Sequence, residues 1–301
     1  MKPIIQLHHI SDINNFVKCK TSHPLVAVVD FSKADDYIEE GTRISADFYT
    51  IMFKNYCANK LRYGRQSYDF QEGNLICIAP KQVLTMDNEI EKRDDMMGWG
   101  LFFHPDLLRG TSLGDKMSDY TFFSYDVTEA LHLSDKEKQI LYDCIQKIEI
   151  ELQENIDNHS QNLIVTNIEL LLNYCSRYYG RQFITRKNSN SNTIIQIENL
   201  LKMYFKSDKL KETGLPTVKY LADKVHLSPS YLSDLLKKET GMNAQDHIHY
   251  YIIEEAKNAL LNSDHSVSEV AYSLGFEYPQ YFSKLFKQKT GQTPIEYRSL
   301  N

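Results

Sequence analysis

The chain has 301 residues, 42% of them hydrophobic and 25% charged, with 12 glycines and 8 prolines, a composition that supports two globular cores and excludes a collagen-like or low-complexity chain. No run of about 18 apolar residues occurs, which excludes a membrane-spanning helix, and the start MKPIIQLHHISD, with one Lys and no apolar core, gives no expectation of a signal peptide. The formal charge of −6 excludes a uniformly basic nucleic-acid binder.

From about residue 20 to 130 the pattern is short and strand-like. Strands are predicted at Leu25–Val29, Phe48–Phe53, Leu75–Ala79 and Trp99–Phe103, with a turn signal at Glu72-Gly73-Asn74. Short strands with no long helical pattern between them predict a sandwich or barrel. Trp99, the one tryptophan, is expected in that core rather than as a ligand platform. A metal-dependent β-barrel enzyme would need a cluster of His and carboxylate ligands on its strands. Here His104 stands alone, with His8, His9 and His23 outside the strands, and a lone His is more often structural. No catalytic triad or phosphate loop occurs either, so no enzyme activity, cofactor or metal is expected. The five cysteines, Cys19, Cys57, Cys77, Cys144 and Cys175, are scattered, with no CxxC spacing. They point to a reducing cytoplasm and to buried thiols rather than disulfides or zinc.

The texture changes near residue 134. Ser134-Asp135-Lys136-Glu137 is a capping-box sequence, and Ile140, Leu141, Cys144, Ile145, Ile148 and Leu152 mark one helix face. After Asn155–Ser160, a second helix carries Leu163, Ile164, Ile168, Leu171, Leu172 and Cys175 inward and is expected to end near Gly180. Two such helices joined by a short connection predict an antiparallel hairpin. The polar run Asn188-Ser189-Asn190-Ser191-Asn192 reads as a linker. The expected α+β layout is a β-rich domain at 1–133, a helical hairpin at 134–180, a linker at 181–193 and an all-helical domain at 194–301.

The helical domain contains an internal repeat. Leu221-Ala222 and Tyr231-Leu232-Ser233-Asp234-Leu235-Leu236-Lys237-Lys238-Glu239-Thr240-Gly241 recur as Val270-Ala271 and Tyr281-Phe282-Ser283-Lys284-Leu285-Phe286-Lys287-Gln288-Lys289-Thr290-Gly291. The offset is 49 residues at first and 50 from Tyr231/Tyr281 onward, so the second copy has one extra residue in its turn. Each copy, at 217–241 and 266–291, reads as helix, tight turn, helix. Thr217 and the capping box Ser266-Val267-Ser268-Glu269 open the first helices, Ser228-Pro229 and Pro279 open the second, and Gly275 permits a turn. The second helices pack inward through Leu232, Leu235 and Leu236, and through Phe282, Leu285 and Phe286. Their opposite faces carry Ser230, Ser233, Asp234 and Lys237, then Gln280, Tyr281, Lys284 and Lys287. Polar groups so placed suit base edges, while Lys237, Lys238, Lys287 and Lys289 near the helix ends suit phosphates. Charge supports this only locally. Residues 1–180 hold 18 basic and 27 acidic residues (−9), 181–216 hold 7 and 3 (+4), and 217–301 hold 9 and 10 (−1).

These residues resemble the AraC/XylS family of bacterial regulators over roughly 194–301. The resemblance is most specific at Leu274-Gly275-Phe276, at Tyr281–Lys287 and at Thr290-Gly291-Gln292-Thr293-Pro294-Ile295-Glu296-Tyr297-Arg298. It implies a linking helix at Ile248–Leu261, about 20 Å long, with Ile252, Ala256, Ala259 and Leu260 facing inward. It also implies base-facing roles for Ser230, Ser233, Asp234, Gln280, Tyr281 and Lys284 on double-stranded DNA. Asp234 departs from the pattern, standing where relatives often carry a basic residue. It can accept from cytosine N4, or the first unit can serve mainly to position the protein. The N-terminal region is similar to the family's jelly-roll sensor domain, which implies a small-molecule effector, a homodimer through the hairpin and RNA polymerase as a further partner. Two other readings stay open: a cupin-type enzyme with accessory helices, and a partner-binding adaptor without DNA affinity.

Overall fold

The computed structural model describes residues 3–18, 21–33, 42–54, 62–63, 66–67, 73–86, 98–154, 157, 159–185, 187–205, 207 and 209–300. The chain divides into two compact units, Met1–Gln182 and Phe183–Asn301.

Among the described residues the first unit carries ten strands. In chain order they are β1 Ile4–Leu7, β2 Val26–Asp30, β3 Thr42–Ala46, β4 Tyr49–Lys54, β5 Arg62–Tyr63, β6 Gln66–Ser67, β7 Asn74–Ile78, β8 Val83–Met86, β9 Gly98–Phe103 and β10 Leu131–His132. Five form an antiparallel sheet in the order β10-β7-β4-β9-β2. Three form a second sheet, β1-β3-β8, in which β1 and β3 run parallel, and β5 pairs with β6. The four predicted strands are present within one residue at each end. They were legible because they occupy the larger sheet, where Val26, Val29, Ile51, Leu75, Leu101 and Phe103 are buried. The partners β1, β3 and β8 were not predicted. Each is only four or five residues long, and Ile4, Ile5 and Val83 are exposed.

A short helix, α1 (Ile10–Phe16), was also missed. The Asp12 carboxylate accepts the His8 and His9 N–H groups, both at 2.8 Å, and opens it. Ile10, Ile13 and Val17 then pack with Leu7, Ala27, Val29, Phe48 and Phe102, closing one core over both sheets. Trp99 is buried as expected. His104 is structural, its Nδ1 accepting the Asp106 N–H at 3.2 Å to open a 3-10 turn. Cys77, Cys144 and Cys175 are buried free thiols, whereas Cys19, Cys57 and Glu72 of the turn signal lie outside the described residues.

After a short helix α2 (Ser112–Lys116), two long helices follow, α3 (Asp135–Gln153) and α4 (Ser160–Thr185). The capping residues of α3 meet as expected: Glu137 Oε2 accepts the Ser134 N–H at 2.9 Å and its hydroxyl at 3.0 Å. Leu141, Cys144, Ile145 and Ile148 face inward, as do Ile164, Ile168, Leu171, Leu172 and Cys175 of α4. Leu163 does not; it is 48% exposed, on the outer face with Leu170.

The expected end near Gly180 is corrected. α4 continues to Thr185 because its last turn has partners: Arg181 donates to the His132 carbonyl at 2.7 Å, and Gln182 accepts the His132 N–H at 2.9 Å. The stretch read as a linker at 181–193 is also corrected, since α5 runs from Lys187 to Phe205. Within the asparagine run, Asn190 is buried. Its amide donates to the Phe183 carbonyl at 2.6 Å and to Glu239 at 3.0 Å. A polar residue whose donors are both satisfied is a buried anchor rather than a solvated spacer.

The second unit contains α5, α6 (Lys209–Thr213), α7 (Val218–Val225), α8 (Pro229–Thr240), α9 (Ala244–Asn262), α10 (Val267–Ser273), α11 (Pro279–Thr290) and α12 (Pro294–Leu300). No helix of the described residues is long and apolar enough to cross a membrane.

Candidate nucleic-acid interface

The two copies of the repeat share most of their local hydrogen bonds. α7 starts where Thr217 Oγ1 accepts the Tyr220 N–H at 3.1 Å, and α10 starts where Ser266 Oγ accepts the Glu269 N–H at 3.2 Å. Ala222 and Ala271 are fully buried, small where the second helix of each pair crosses. Each turn then passes through one left-handed residue, His226 (φ 56°) in the first copy and Gly275 (φ 82°) in the second. The following N–H returns to the buried alanine: Leu227 to Ala222 and Phe276 to Ala271, both at 3.0 Å.

Only the second turn requires glycine. A Cβ on Gly275 would meet the Leu210 carbonyl oxygen at 3.1 Å and Gly214 backbone atoms at 3.2 and 3.3 Å. The Gly214 carbonyl is itself held by the Tyr204 hydroxyl at 2.9 Å, so α5 supports the turn of the second copy.

The extra residue of the second copy changes how its outer helix begins. In the first copy Ser228 Oγ accepts the Tyr231 N–H at 3.2 Å. In the second the residue before Pro279 is Tyr278, which gives no side-chain cap. Both outer helices end alike, at Gly241 and Gly291 (φ 80° each), with Thr240 and Thr290 hydroxyls donating to the Leu236 and Phe286 carbonyls at 2.8 Å. The repeat extends further than the sequence comparison took it. Asn243 caps α9 by accepting the Asp246 N–H, and Thr293, fifty residues on, caps α12 by accepting the Glu296 N–H.

Helix α9 links the two pairs. It begins four residues earlier than predicted because Asn243 opens it, and its 19 residues span about 28 Å rather than 20. Ile252, Ala256 and Leu260 face inward as expected. Ala259 is only half-buried, and Ala244, His247, Ile248 and Ile253 add to the buried face. Arg298 closes the far end, donating to the Leu260 carbonyl at 2.9 Å.

The outer faces differ between copies. On α11, Gln280, Tyr281, Lys284 and Lys287 are all exposed, Tyr281 at 62%, edge-on to Tyr278 at 5.8 Å. On α8, Ser230, Ser233 and Asp234 are half-buried, and Lys237 and Lys238 are exposed. Tyr231, the counterpart of Tyr281, is buried, its ring 4.9 Å from Phe183. Glu239 further fixes α8 through Asn190. The first outer helix thus presents small groups from an anchored helix, whereas the second presents long, free side chains. Of the inward residues, Leu232, Leu235, Leu236, Phe282 and Phe286 are buried and Leu285 is half-buried.

The side chains of Lys284, Lys287, Lys237 and Lys238 make no hydrogen bond or ion pair among the described residues. Lys289 does: its Nζ lies 2.8 Å from Asp246 Oδ1 on α9. That hydrogen bond holds the Asp246 carboxyl below its ordinary value. The pair therefore stabilises the fold at neutral pH and loses its contribution as pH falls below the ordinary carboxylate range, through the lowered value of Asp246. Lys289→Ala is expected to change DNA affinity less than the loss of an unpaired lysine does. It should also cost under about 1 kcal/mol of stability, the scale of an exposed pair. Salt titration of DNA binding and thermal melts of the variant check both.

The helix-turn-helix domain family matches residues 221–299. The chain is 28% identical over 158 residues to YijO of Escherichia coli, an uncharacterised HTH-type transcriptional regulator, covering 52% of this chain and 51% of that protein. It is 36% identical over 83 residues to YobQ of Bacillus subtilis, also an uncharacterised HTH-type transcriptional regulator, covering 28% and 34%. It is 38% identical over 79 residues to RhaS of Yersinia pestis, an HTH-type transcriptional activator, covering 26% and 29%. The chain thus spans about half the length of the first of these relatives and about a third of the other two. Among solved structures, the C-terminal domain of the response regulator yesN from Fusobacterium nucleatum aligns at 32% identity over 36% of this chain and 98% of that one, with a TM-score of 0.32. Residues 221–299 therefore form a helix-turn-helix domain similar to that of AraC-type transcriptional regulators.

Proposed function

We propose that this chain is a one-component, sequence-specific DNA-binding transcriptional regulator of the bacterial cytoplasm. The observation that carries the reading is the pair of equivalent outer helices, α8 and α11, with matching C-terminal caps and equivalent turns on one linking helix. A linking helix about 28 Å long suits two successive major-groove segments, about 34 Å per helical turn of DNA. In this reading Gln280, Tyr281 and Lys284 face bases in one segment, and Ser230, Ser233 and Asp234 face them in the next. Lys237, Lys238 and Lys287 meet phosphates, and Lys289 is a weaker phosphate contact because Asp246 holds it. Selection of bound fragments from random double-stranded DNA at moderate salt tests this. An enriched motif of two elements one helical turn apart is expected, and no enrichment would contradict it.

The first unit is read as a jelly-roll-like sensor for a small effector. The hairpin α3–α4 is read as a homodimer contact, supported by Leu163 and Leu170 at 48% and 39% exposure one heptad apart on α4, and by Ile150 at 60% on α3. RNA polymerase is the further partner of an activator of this kind. Lys287→Ala is expected to weaken binding to all sequences about equally. It should also reduce the slope of log affinity against log salt by about 0.9, the value of one phosphate contact. Salt titrations on selected and random DNA measure it.

A further inference from the structure

The first unit holds a cavity of about 500 Å³ between the five-stranded sheet and α3. Its floor is a cross-strand row, Asp30 on β2 opposite Trp99 on β9, and Trp99 opposite Phe53 on β4. Residues paired in this way across antiparallel strands share one face. The wall is a single stripe of α3, in which Asp135, Lys138, Tyr142 and Glu149 recur at helical spacing. Trp99 is therefore buried, as its sequence context implies, and at the same time lines an open space.

The charges there are unequal. Lys33 is bonded to Asp30 at 3.1 Å, and Lys138 to Asp135 at 2.8 Å. The Glu149 side chain, half-buried at the end of the stripe, makes no hydrogen bond or close ion pair among the described residues. Burial holds its carboxyl above the ordinary value, with Lys33 opposing that shift and Asp30 adding to it. A carboxylate partly withdrawn from water and without a hydrogen-bond donor favours a cation beside it. Aromatic faces beside it attract the same sign of ligand charge that it does.

We propose that this cavity binds a small organic cation, an ammonium carried on an apolar body, with Glu149 as counter-ion and Trp99, Phe53 and Tyr142 as the apolar walls. As an effector site it rests on the reading of the first unit as a sensor; as a binding site it does not.

The one tryptophan of the chain lies in the floor of the cavity, so its emission reports occupancy of the full-length protein directly. Phenethylammonium, 2-phenylethanol and phenylacetate share a ring and differ in charge. A saturable change in emission is expected with the cation and not with the other two. Glu149→Gln is expected to weaken the cation by about tenfold or more while the thermal melt holds, since a charge-assisted contact is lost. Lys33→Gln, on an exposed side chain, frees Asp30 and is expected to tighten it. Equal binding of all three probes, preference for the anion, or indifference to both substitutions overturns the site. Saturation of Trp99 that leaves affinity for the selected DNA unchanged would instead remove the effector role and leave the cavity's ligand class standing.

Discussion

Lys284→Ala is expected to abolish most of the preference for selected over random DNA while leaving the salt slope close to that of the parent. Lys284 is exposed on α11, is free of any partner among the described residues, and shares a face with Gln280. In the proposed reading an ammonium so placed meets base edges such as guanine O6 and N7. Losing one such contact costs about 1–3 kcal/mol of discrimination, roughly ten- to a hundredfold. The same exchange on α8, Ser233→Ala, is expected to do much less. Ser233 is short and half-buried on a helix that Phe183 and Asn190 hold in place. Competition binding with selected and random duplexes measures both. Equal losses on the two DNAs for Lys284→Ala would remove its base-reading role.

The largest effect on stability is expected from Gly275→Ala. A positive φ costs a non-glycine residue about 1–2 kcal/mol. At Gly275 the added Cβ also meets backbone of Leu210 and Gly214 at 3.1–3.3 Å, atoms that cannot swing aside as a flexible side chain would. Together these give about 2–4 kcal/mol, a drop of roughly 10–20 °C in Tm for a domain of this size. Gly291→Ala is the control, since its φ is also positive but nothing lies within 4 Å of the added Cβ. Only the conformational part should be lost there. Thermal unfolding of the two variants separates the terms. An equal drop for both would show that the contact with the Gly214 segment contributes nothing.

The helical half was legible in the sequence because its information is local. Caps, a Ser-Pro start, Thr-Gly ends and a 49- or 50-residue repeat each fix one feature of one turn, and two copies corroborate each other. What the sequence did not disclose depends on distant partners. His226 takes the left-handed position that Gly275 fills in the other copy, a role no residue type announces. Lys289 looked like a free cation until α9 brought Asp246 to it from 43 positions away. Tyr231 and Tyr281 align in the repeat, yet Phe183 buries one and nothing covers the other to the same degree. In the β-rich half, strands with both faces buried were visible as apolar runs. β1, β3 and β8 were not, because pairing rather than hydrophobic pattern makes them strands. The polar asparagine run misled for the converse reason: composition suggests a spacer, and the burial of Asn190 between two acceptors makes it part of a helix.

The central claim is that α8 and α11 read adjacent segments of one DNA face unequally. Hydroxyl-radical footprinting of the parent and of Lys284→Ala on the selected duplex tests it directly. The expected result is two protected segments one helical turn apart for the parent. In the variant, protection should fade at the α11 segment first and persist longer at the other. A single protected segment, or loss of both together, would contradict it.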